Sequence, residues 1–410
     1  MGGVQINEEL LSDSAYFADE SRRAELREMF KFDGRRVLMG EGALDMLAEE
    51  CARLGAGRVF LIHDPGIPVL AERVRAVLGE LKLVGDYSDI APNPSVASVD
   101  DCAGVLAAVD FDVAVALGGG STMDTAKSAL CVAACGGSVR DYFGFDKFDK
   151  PPRAPLIGIP TTAGTGSEAS RVTVVADESG KQALYGDYLQ PRGALVDPLL
   201  HADLPPLLTA ITGLDALGHA LECTASQKSN AVGDAVARAA LVAGCPAYEA
   251  AVAGGNGGAR YQMARCALLA GLLLSPINTG AGHALGYGIE KVSFERGQPV
   301  PHGTAVALVL PGVMRHNAPA VADKYYFAAG AAGLDLGGKS REEGIEAAAA
   351  WIDGLRRRHT PFGSLADAGL GADDIPRMIE IAMGVRRLLD PNPVPVEEAD
   401  AEAIYRGVLG

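Results

Sequence analysis

The chain has 410 residues, with 36 Lys and Arg against 52 Asp and Glu and a formal net charge of −16. That acidity, without a block of five or more Lys and Arg, argues against a partner made of nucleic acid or anionic membrane. At 48% hydrophobic and 21% charged residues the composition is globular rather than disordered, and at about 150 residues per domain the length suits two or three domains.

Residues 1–25 are polar and acidic, show no secretory signal pattern, and read as an N-terminal extension. Short β-branched runs then alternate with helical segments from 26 to 200. RVFLIHD (58–64), DVAVALGGG (112–120), APLIGIPTT (154–162) and GALVDP (193–198) are predicted strands, each ending at or near Gly, Pro or Asp. VLAERVRAVLGEL (69–81) and SVDDCAGVLAAVD (98–110) are predicted helices between the first two strands. Strands apolar on both faces, alternating with helices, predict a parallel sheet covered on both sides.

From 201 to 410 strand-like runs nearly vanish. Ala/Leu-rich helical patterns replace them, among them LTAITGLDALGHALECTA, NAVGDAVARAALVAGC and YQMARCALLAGLLL. The prediction is an α/β dinucleotide-binding domain (26–200) followed by an all-helical domain (201–410), with the cleft between them as the default site. The longest clean apolar run, 266–277, is too short to span a bilayer. The cysteines (Cys51, Cys102, Cys131, Cys135, Cys223, Cys245, Cys266) lie mostly in apolar stretches and read as buried thiols of a reducing compartment. A soluble cytoplasmic protein is expected.

Leu117-Gly-Gly-Gly-Ser-Thr-Met-Asp-Thr-Ala-Lys127 follows a strand and opens a helix, where backbone N–H groups and the helix dipole favour phosphate oxygens. Pro160-Thr-Thr-Ala-Gly-Thr-Gly-Ser-Glu168 is a second small, hydroxyl-rich loop at a strand's C-terminal end. Two such loops point to a nucleotide. Asp64, ending the strand 58–64, suits a ribose hydroxyl and repels a 2′-phosphate, which favours NAD over NADP. In GLDALGHALE, Asp215 and His219 are four apart on one helix face, a spacing that suits two ligands of one divalent metal. His283 and His302 fall in further Gly-containing segments, TGAGHALGYG and VPHGTAVALV. Arg296 is a candidate contact for an anionic substrate. No GxSxG elbow supports a serine hydrolase.

Taken in order, VLMGEGALDML, HDPGI, APNPS (91–95), GGGSTMDTAKS, PTTAGTGSE, VDPLL, TGLDALGHALE, GHALGYG and PHGTAVALVLPGVMRHN resemble the iron-containing (group III) alcohol dehydrogenases over residues 30–390. Their superfamily includes glycerol dehydrogenases and dehydroquinate synthases. The resemblance implies a Rossmann-like N-terminal domain and a helical C-terminal metal and substrate domain, the dehydroquinate-synthase-like fold. It places the nucleotide contacts on Asp64, Asn93, Gly119, Gly120, Ser121, Asp124, Thr161, Thr162 and Thr165. It places metal ligands on Asp215, His219 and His302, and catalytic roles on His283 and His302.

The family's remaining ligand opens an H-x-x-x-H pair, which falls here on Thr279 and His283. Three outcomes stay open: a three-residue metal site with water, His283 moving in as a ligand, or a metal-free site in which His283 and His302 polarise the substrate. The implied function is NAD(H)-dependent, metal-assisted (Fe2+ or Zn2+) interconversion of a small alcohol and its aldehyde or ketone, in a homodimer or larger homo-oligomer. The alternatives are a metal-free maleylacetate-reductase-like enzyme and a dehydroquinate-synthase-like lyase or cyclase. The last is less suited, because no basic cluster is visible beside the histidines. The long stretch between His283 and His302, around EKVSFERGQ, is expected to line the pocket.

Overall fold

The runs that are apolar on both faces form the centre of a parallel sheet. In the computed structural model, which describes residues 36–254 and 257–410, the chain begins β1 (Arg36–Met39), α1 (Leu47–Arg53), β2 (Arg58–His63), α2 (Pro68–Val77) and β3 (Lys82–Tyr87). It continues α3 (Val96–Ala108), β4 (Val113–Gly118), α4 (Gly120–Cys135), β5 (Gly144–Phe145), β6 (Leu156–Pro160), β7 (Val172–Asp177), β8 (Gly180–Tyr185) and β9 (Gly193–Val196). Helices follow: α5 (Pro206–Ala225), α6 (Ala231–Val252), α7 (Gly257–Leu274), α8 (Ala281–Glu295), α9 (His302–Ala331), α10 (Arg341–His359), α11 (Ile375–Gly384), α12 (Arg386–Leu389) and α13 (Glu398–Arg406). The expected extension (1–25) and the start of the expected α/β domain lie outside the described residues.

The main sheet has the order β1-β9-β6-β4-β2-β3 and is parallel throughout. Its inner strands β4, β6 and β9 are wholly buried, whereas the edge strands β1 and β3 are partly exposed. RVLM and KLVGDY therefore lack the two-faced apolar pattern that marks the central strands. From β2 the chain adds β3 on one side, then crosses to β4 on the other. The carboxyl ends of β2 and β4 thus flank a topological switch point, where open α/β sheets hold ligands.

A small second sheet, β5-β8-β7, was not predicted. Its β7–β8 hairpin is half-buried and mixes polar with apolar positions, so neither strand reads as a core strand. The expected change of texture at 200 falls in the connection between β9 and α5, where Pro198–His201 forms a short 3-10 turn.

Helix α5 is buried almost continuously from Gly213 to Ala225 and packs against α6, α7 and α9. Among the described residues α6 is the helix long and apolar enough to cross a membrane, yet here it packs between α5 and α7. All seven cysteines are free; Cys135 is half-buried and the rest are buried.

The loop after β6 is locked to α7 by backbone contact. Gly166 adopts φ +62°, and a Cβ on it would lie 2.5 Å from Gly271 Cα; a Cβ on Gly271 would lie 2.6 Å from Gly166 Cα. Neither side can yield, because both are main chain. Gly271→Ala should therefore destabilise the protein by about 1–3 kcal/mol, read as a fall in Tm. Gly104→Ala, on α3 with open space around it, should be neutral or stabilising by about 0.5–1 kcal/mol. Equal Tm values for the two variants would show that the α7 contact has slack.

Candidate active site

Asp215 and His219 lie one turn apart in the buried middle of α5. His283 sits in the first turn of α8, and His302 is the first residue of α9. The start of α9 presses directly on α5: a Cβ on Gly303 would clash with the Ile211 carbonyl oxygen. That close approach brings three imidazoles around one carboxylate oxygen. Asp215 Oδ1 lies 3.6 Å from His219 Nε2, 3.5 Å from His283 Nε2 and 3.5 Å from His302 Nε2. The His219 and His283 rings stack with centroids 4.7 Å apart. Asp215, His219 and His283 are buried, while the His302 side chain is 24% exposed.

A second ring of carboxylates orients the first. Glu222, one turn beyond His219, accepts through Oε1 from the backbone N–H groups of Gly280 (3.2 Å), Gly282 (2.6 Å) and His283 (3.3 Å). Its Oε2 meets His283 Nδ1. One side chain thus caps α8 and fixes the ring of His283. Glu290 does the same for His302, with Oε1 2.6 Å from His302 Nδ1 and Oε2 2.6 Å from Lys181 Nζ. With Nδ1 hydrogens donated outward, the Nε2 lone pairs of His283 and His302 face Asp215.

The electrostatics favour positive charge at the centre. Burial pushes His219 down to about 4. Burial also opposes charge on His283, but Glu222 and Asp215 outweigh it and raise this imidazole to about 9. Burial alone would raise Asp215; His219, His302 and His283 instead hold it well below the usual carboxylate range. Glu290 is likewise carried down to about 2, against the effect of burial, by Lys181 and His302.

Asp215 Oδ1 and His283 Nε2 are buried without a hydrogen-bond partner. Carboxylate oxygen and imidazole nitrogen are donors that suit iron or zinc. Their 3.5–3.6 Å separations approach the ~3.4 Å edge of a tetrahedron with ~2.1 Å bonds. Asp215, His219 and His283 form a cluster able to hold a metal ion. The residues present fit a divalent cation.

A cavity of about 250 Å³ joins this cluster to the sheet. Asn93, Gly120, Ser121, Asp124 and Thr165 line it on the sheet side, and Asp215, His219, His283 and His302 on the helical side. Gly119 caps α4 without a side-chain hydrogen bond, leaving the N–H groups of the first turn available to a ligand. Asn93, at φ +54°, donates its N–H to Ser121 Oγ at 3.3 Å. The other predicted nucleotide residues sit at the ends of the neighbouring strands. Asp64 Oδ1 accepts from the Gly66 N–H at 2.7 Å, Thr161 N–H donates to Gly118 O at 3.0 Å, and Thr162 lies against Gly119. Asp124 is committed inside the protein. Its Oδ1 accepts from Ser167 Oγ at 2.6 Å and its Oδ2 from Val174 N–H at 2.9 Å, tying α4 to the second loop and to β7.

His283 turns Nδ1 to Glu222 and Nε2 towards Asp215 and lines the cavity. Thr279 precedes the first turn of α8 and donates its N–H to Asn278 Oδ1. Arg296 is 57% exposed and paired with Asp374, away from the cavity. The stretch after His283 continues α8, delivers Glu290 to His302, and lines the adjoining cleft with Glu290, Lys291 and Phe294. Sequence reasoning also missed Lys181, Tyr185, Tyr287 and Arg387, all of which line the cavity. Lys181 and Tyr185 share a face of β8, and Tyr287 is one turn beyond His283, but nothing local ties them to the cluster. Basic groups therefore do stand beside the histidines.

A parallel sheet with a crevice at its switch point, facing a buried carboxylate–histidine cluster able to hold a metal ion, is the architecture of a dinucleotide-linked oxidoreductase. Residues 34–198 match the iron-containing alcohol dehydrogenase family, and residues 209–409 match the C-terminal part of the Fe-containing alcohol dehydrogenase family. The chain belongs to this iron-containing alcohol dehydrogenase family. It is 35% identical over 379 residues to choline dehydrogenase of Bacillus subtilis, covering 90% of this chain and 92% of that one. Among solved structures it is similar to a 1,3-propanediol oxidoreductase (30% identity, TM-score 0.86, 93% of this chain and 100% of that one). It is also similar to the sulfoacetaldehyde reductase of Bifidobacterium kashiwanohense in complex with NAD+ (27% identity, TM-score 0.82, 93% and 99%). The chain is an NAD(H)-dependent oxidoreductase of alcohols and their carbonyl counterparts.

Glu222 gives this site a sharp test. Glu222→Gln keeps the shape but loses the charge beneath His283. Its affinity for Fe2+ or Zn2+, measured by chelator competition, should fall roughly 10–100-fold. Unchanged affinity would mean that His283 does not need this carboxylate to bind metal.

Proposed function

We propose that the enzyme interconverts a small aldehyde or ketone and its alcohol with NAD(H), at a divalent cation held by Asp215, His219, His283 and His302. The observation that carries this reading is the approach of three Nε2 atoms to one buried carboxylate oxygen that has no hydrogen-bond partner. On this reading no ligand is missing at Thr279. His283 supplies the third imidazole from the first turn of α8, and Tyr287, four residues on, stands where the second His of an H-x-x-x-H pair would fall.

When bound, the cation polarises the carbonyl oxygen and the dinucleotide exchanges the hydride. The chain does the rest. Asn93, Ser121 and the first turn of α4 hold the dinucleotide at the crevice. Glu290 Oε1 holds the Nδ1 proton of His302, the one exposed member of the cluster. Ile211, Leu274 and Leu388 give the cavity an apolar wall. Lys181 lines both this cavity and the cleft outside it, and Glu290 lines that outer cleft, so the Lys181–Glu290–His302 line leads a proton inward from solvent.

The similar proteins named above act, by their names, on a cation, a neutral diol and an anion. The shared scaffold therefore leaves substrate charge to the residues lining the cavity.

Metal analysis of protein purified without chelator should find about one divalent ion per chain in the wild type and none in His219→Ala. The variant's kcat for NADH-dependent aldehyde reduction should fall roughly 100-fold or more, the scale of a lost Lewis acid. A wild type that reduces aldehydes with no metal bound would overturn the reading.

A further inference from the structure

Arg387 is the charged group of the substrate cavity that no acid balances. It lies in α12 and lines the cavity with Lys181, Tyr185 and Tyr287. The neighbouring charges are already matched. Lys181 pairs with Glu290, whose other oxygen serves His302, and Arg386 pairs with Asp390 on the outer side. Among the described residues Arg387 makes no ion pair, and its Nη2 is buried without a hydrogen-bond partner. Its guanidinium carbon stands 5.5 Å from the Tyr287 ring centroid, and Lys181 Nζ stands 5.4 Å from the same ring. A buried guanidinium donor is costly to leave unmade, so the arrangement makes sense when a ligand supplies the acceptor.

We propose that Arg387 binds an acid group on the substrate, a carboxylate or sulfonate. The carbonyl compounds this enzyme reduces are then short aldehydes or ketones bearing a terminal anion. The proposal rests on the cavity being the carbonyl-reducing site. A planar guanidinium matches either acid group through parallel N–H bonds, which lysine does not. Tyr185 adds a second donor: its oxygen already accepts from Asn278 Nδ2 at 3.0 Å, leaving its own hydrogen for the ligand. Arg387 lines both this cavity of about 250 Å³ and the larger cleft outside it, so the acid group is held toward the opening and the carbonyl at the cluster. Charge agrees as well. Glu290 answers Lys181 and the cluster carboxylates answer a cation, so one positive charge remains for one negative substrate group.

Two measurements test this together. The first compares kcat/KM for NADH-dependent reduction of succinic semialdehyde and of butanal, which differ by one carboxylate. Wild type should prefer the anionic aldehyde by at least about 10-fold, mostly through KM, the scale of a charge-assisted hydrogen bond. Arg387→Met should bring the ratio near one, and Arg387→Lys should restore part of it. The second is calorimetric binding of butyrate and of butyramide to the NADH-loaded enzyme. Butyrate should bind more tightly, and its advantage should disappear in Arg387→Met.

Equal kcat/KM for the two aldehydes in wild type, or equal losses on both in Arg387→Met, would overturn the proposal. So would a rise in NADH Kd that accounts for the whole effect, because Arg387 would then be holding the nucleotide. Arg387-dependent butyrate binding with no carbonyl reduced would leave the anion site standing and refute the reductase reading. Reduction of both aldehydes without any preference for butyrate would do the reverse.

Discussion

Three imidazole nitrogens and a carboxylate oxygen can converge in an apolar interior only if something positive lies between them. A bound cation, or a proton on an imidazole, supplies that charge, and Glu222 and Asp215 raise His283 enough to carry one. The helical half is arranged around this constraint at Asp215. Helix α5 carries the carboxylate and the first imidazole, α8 and α9 bring the others at their opening turns, and a glycine at the start of α9 lets two backbones touch. Glu222 joins local structure to chemistry here. The carboxylate that satisfies the exposed N–H groups of α8 also sets the ring of His283, so helix capping and site geometry cannot be changed separately.

The sheet supplies the other half of the reaction geometry. Its switch point lies where α4 begins, and that helix start shares one cavity with the cluster. Hydride transfer needs the two reacting carbons close and aligned, which demands a stiff connection between the nucleotide loops and the helices. The Gly166–Gly271 contact is main chain against main chain, with no side chain to adjust. Lys127 reinforces the loop from beneath, its Nζ donating to the Ser167 carbonyl at 3.0 Å and the Val172 carbonyl at 2.6 Å. The β7–β8 hairpin then reaches across to the helical side, where Lys181 pairs with Glu290 of α8. A substrate in the cavity is therefore touched from both halves at once.

How much of this was legible depends on the range of each signal. The central strands were visible because burial on both faces leaves an unbroken apolar run, as in VAVALG and LIGIP. The hairpin was not, since a half-buried strand such as GKQALY looks like loop. Asp215 and His219 were legible because four-residue spacing on a helix is a local fact. His283 was found through its glycine-rich segment, but its distance from the cluster was not legible: α8 begins at Ala281, so Thr279 lies before the helix and only the first turn faces the cluster. Arg296 attracted attention by its nearness in sequence to the histidines and proves to serve Asp374. Arg387 carries no local mark at all. Its place beside Tyr287 depends on how α12 folds back onto α8, which no window of sequence records.

The charge of the whole chain and the charge of its cavity point in opposite directions, and range resolves the conflict. A net charge of −16 repels an approaching anion, but over a Debye length of roughly 8–10 Å at physiological salt that repulsion is screened. Inside the cavity the nearest uncompensated protein charge is a guanidinium at short distance in a poorly polarisable setting, where attraction is far less screened. Surface acidity then bears on the rate of encounter, while selection among bound molecules rests on the few groups within hydrogen-bond reach. Glu290 is what keeps the two regimes apart. By answering both Lys181 and His302, it confines the positive charge offered to a ligand's distal end to Arg387 and leaves the carbonyl end to the cluster.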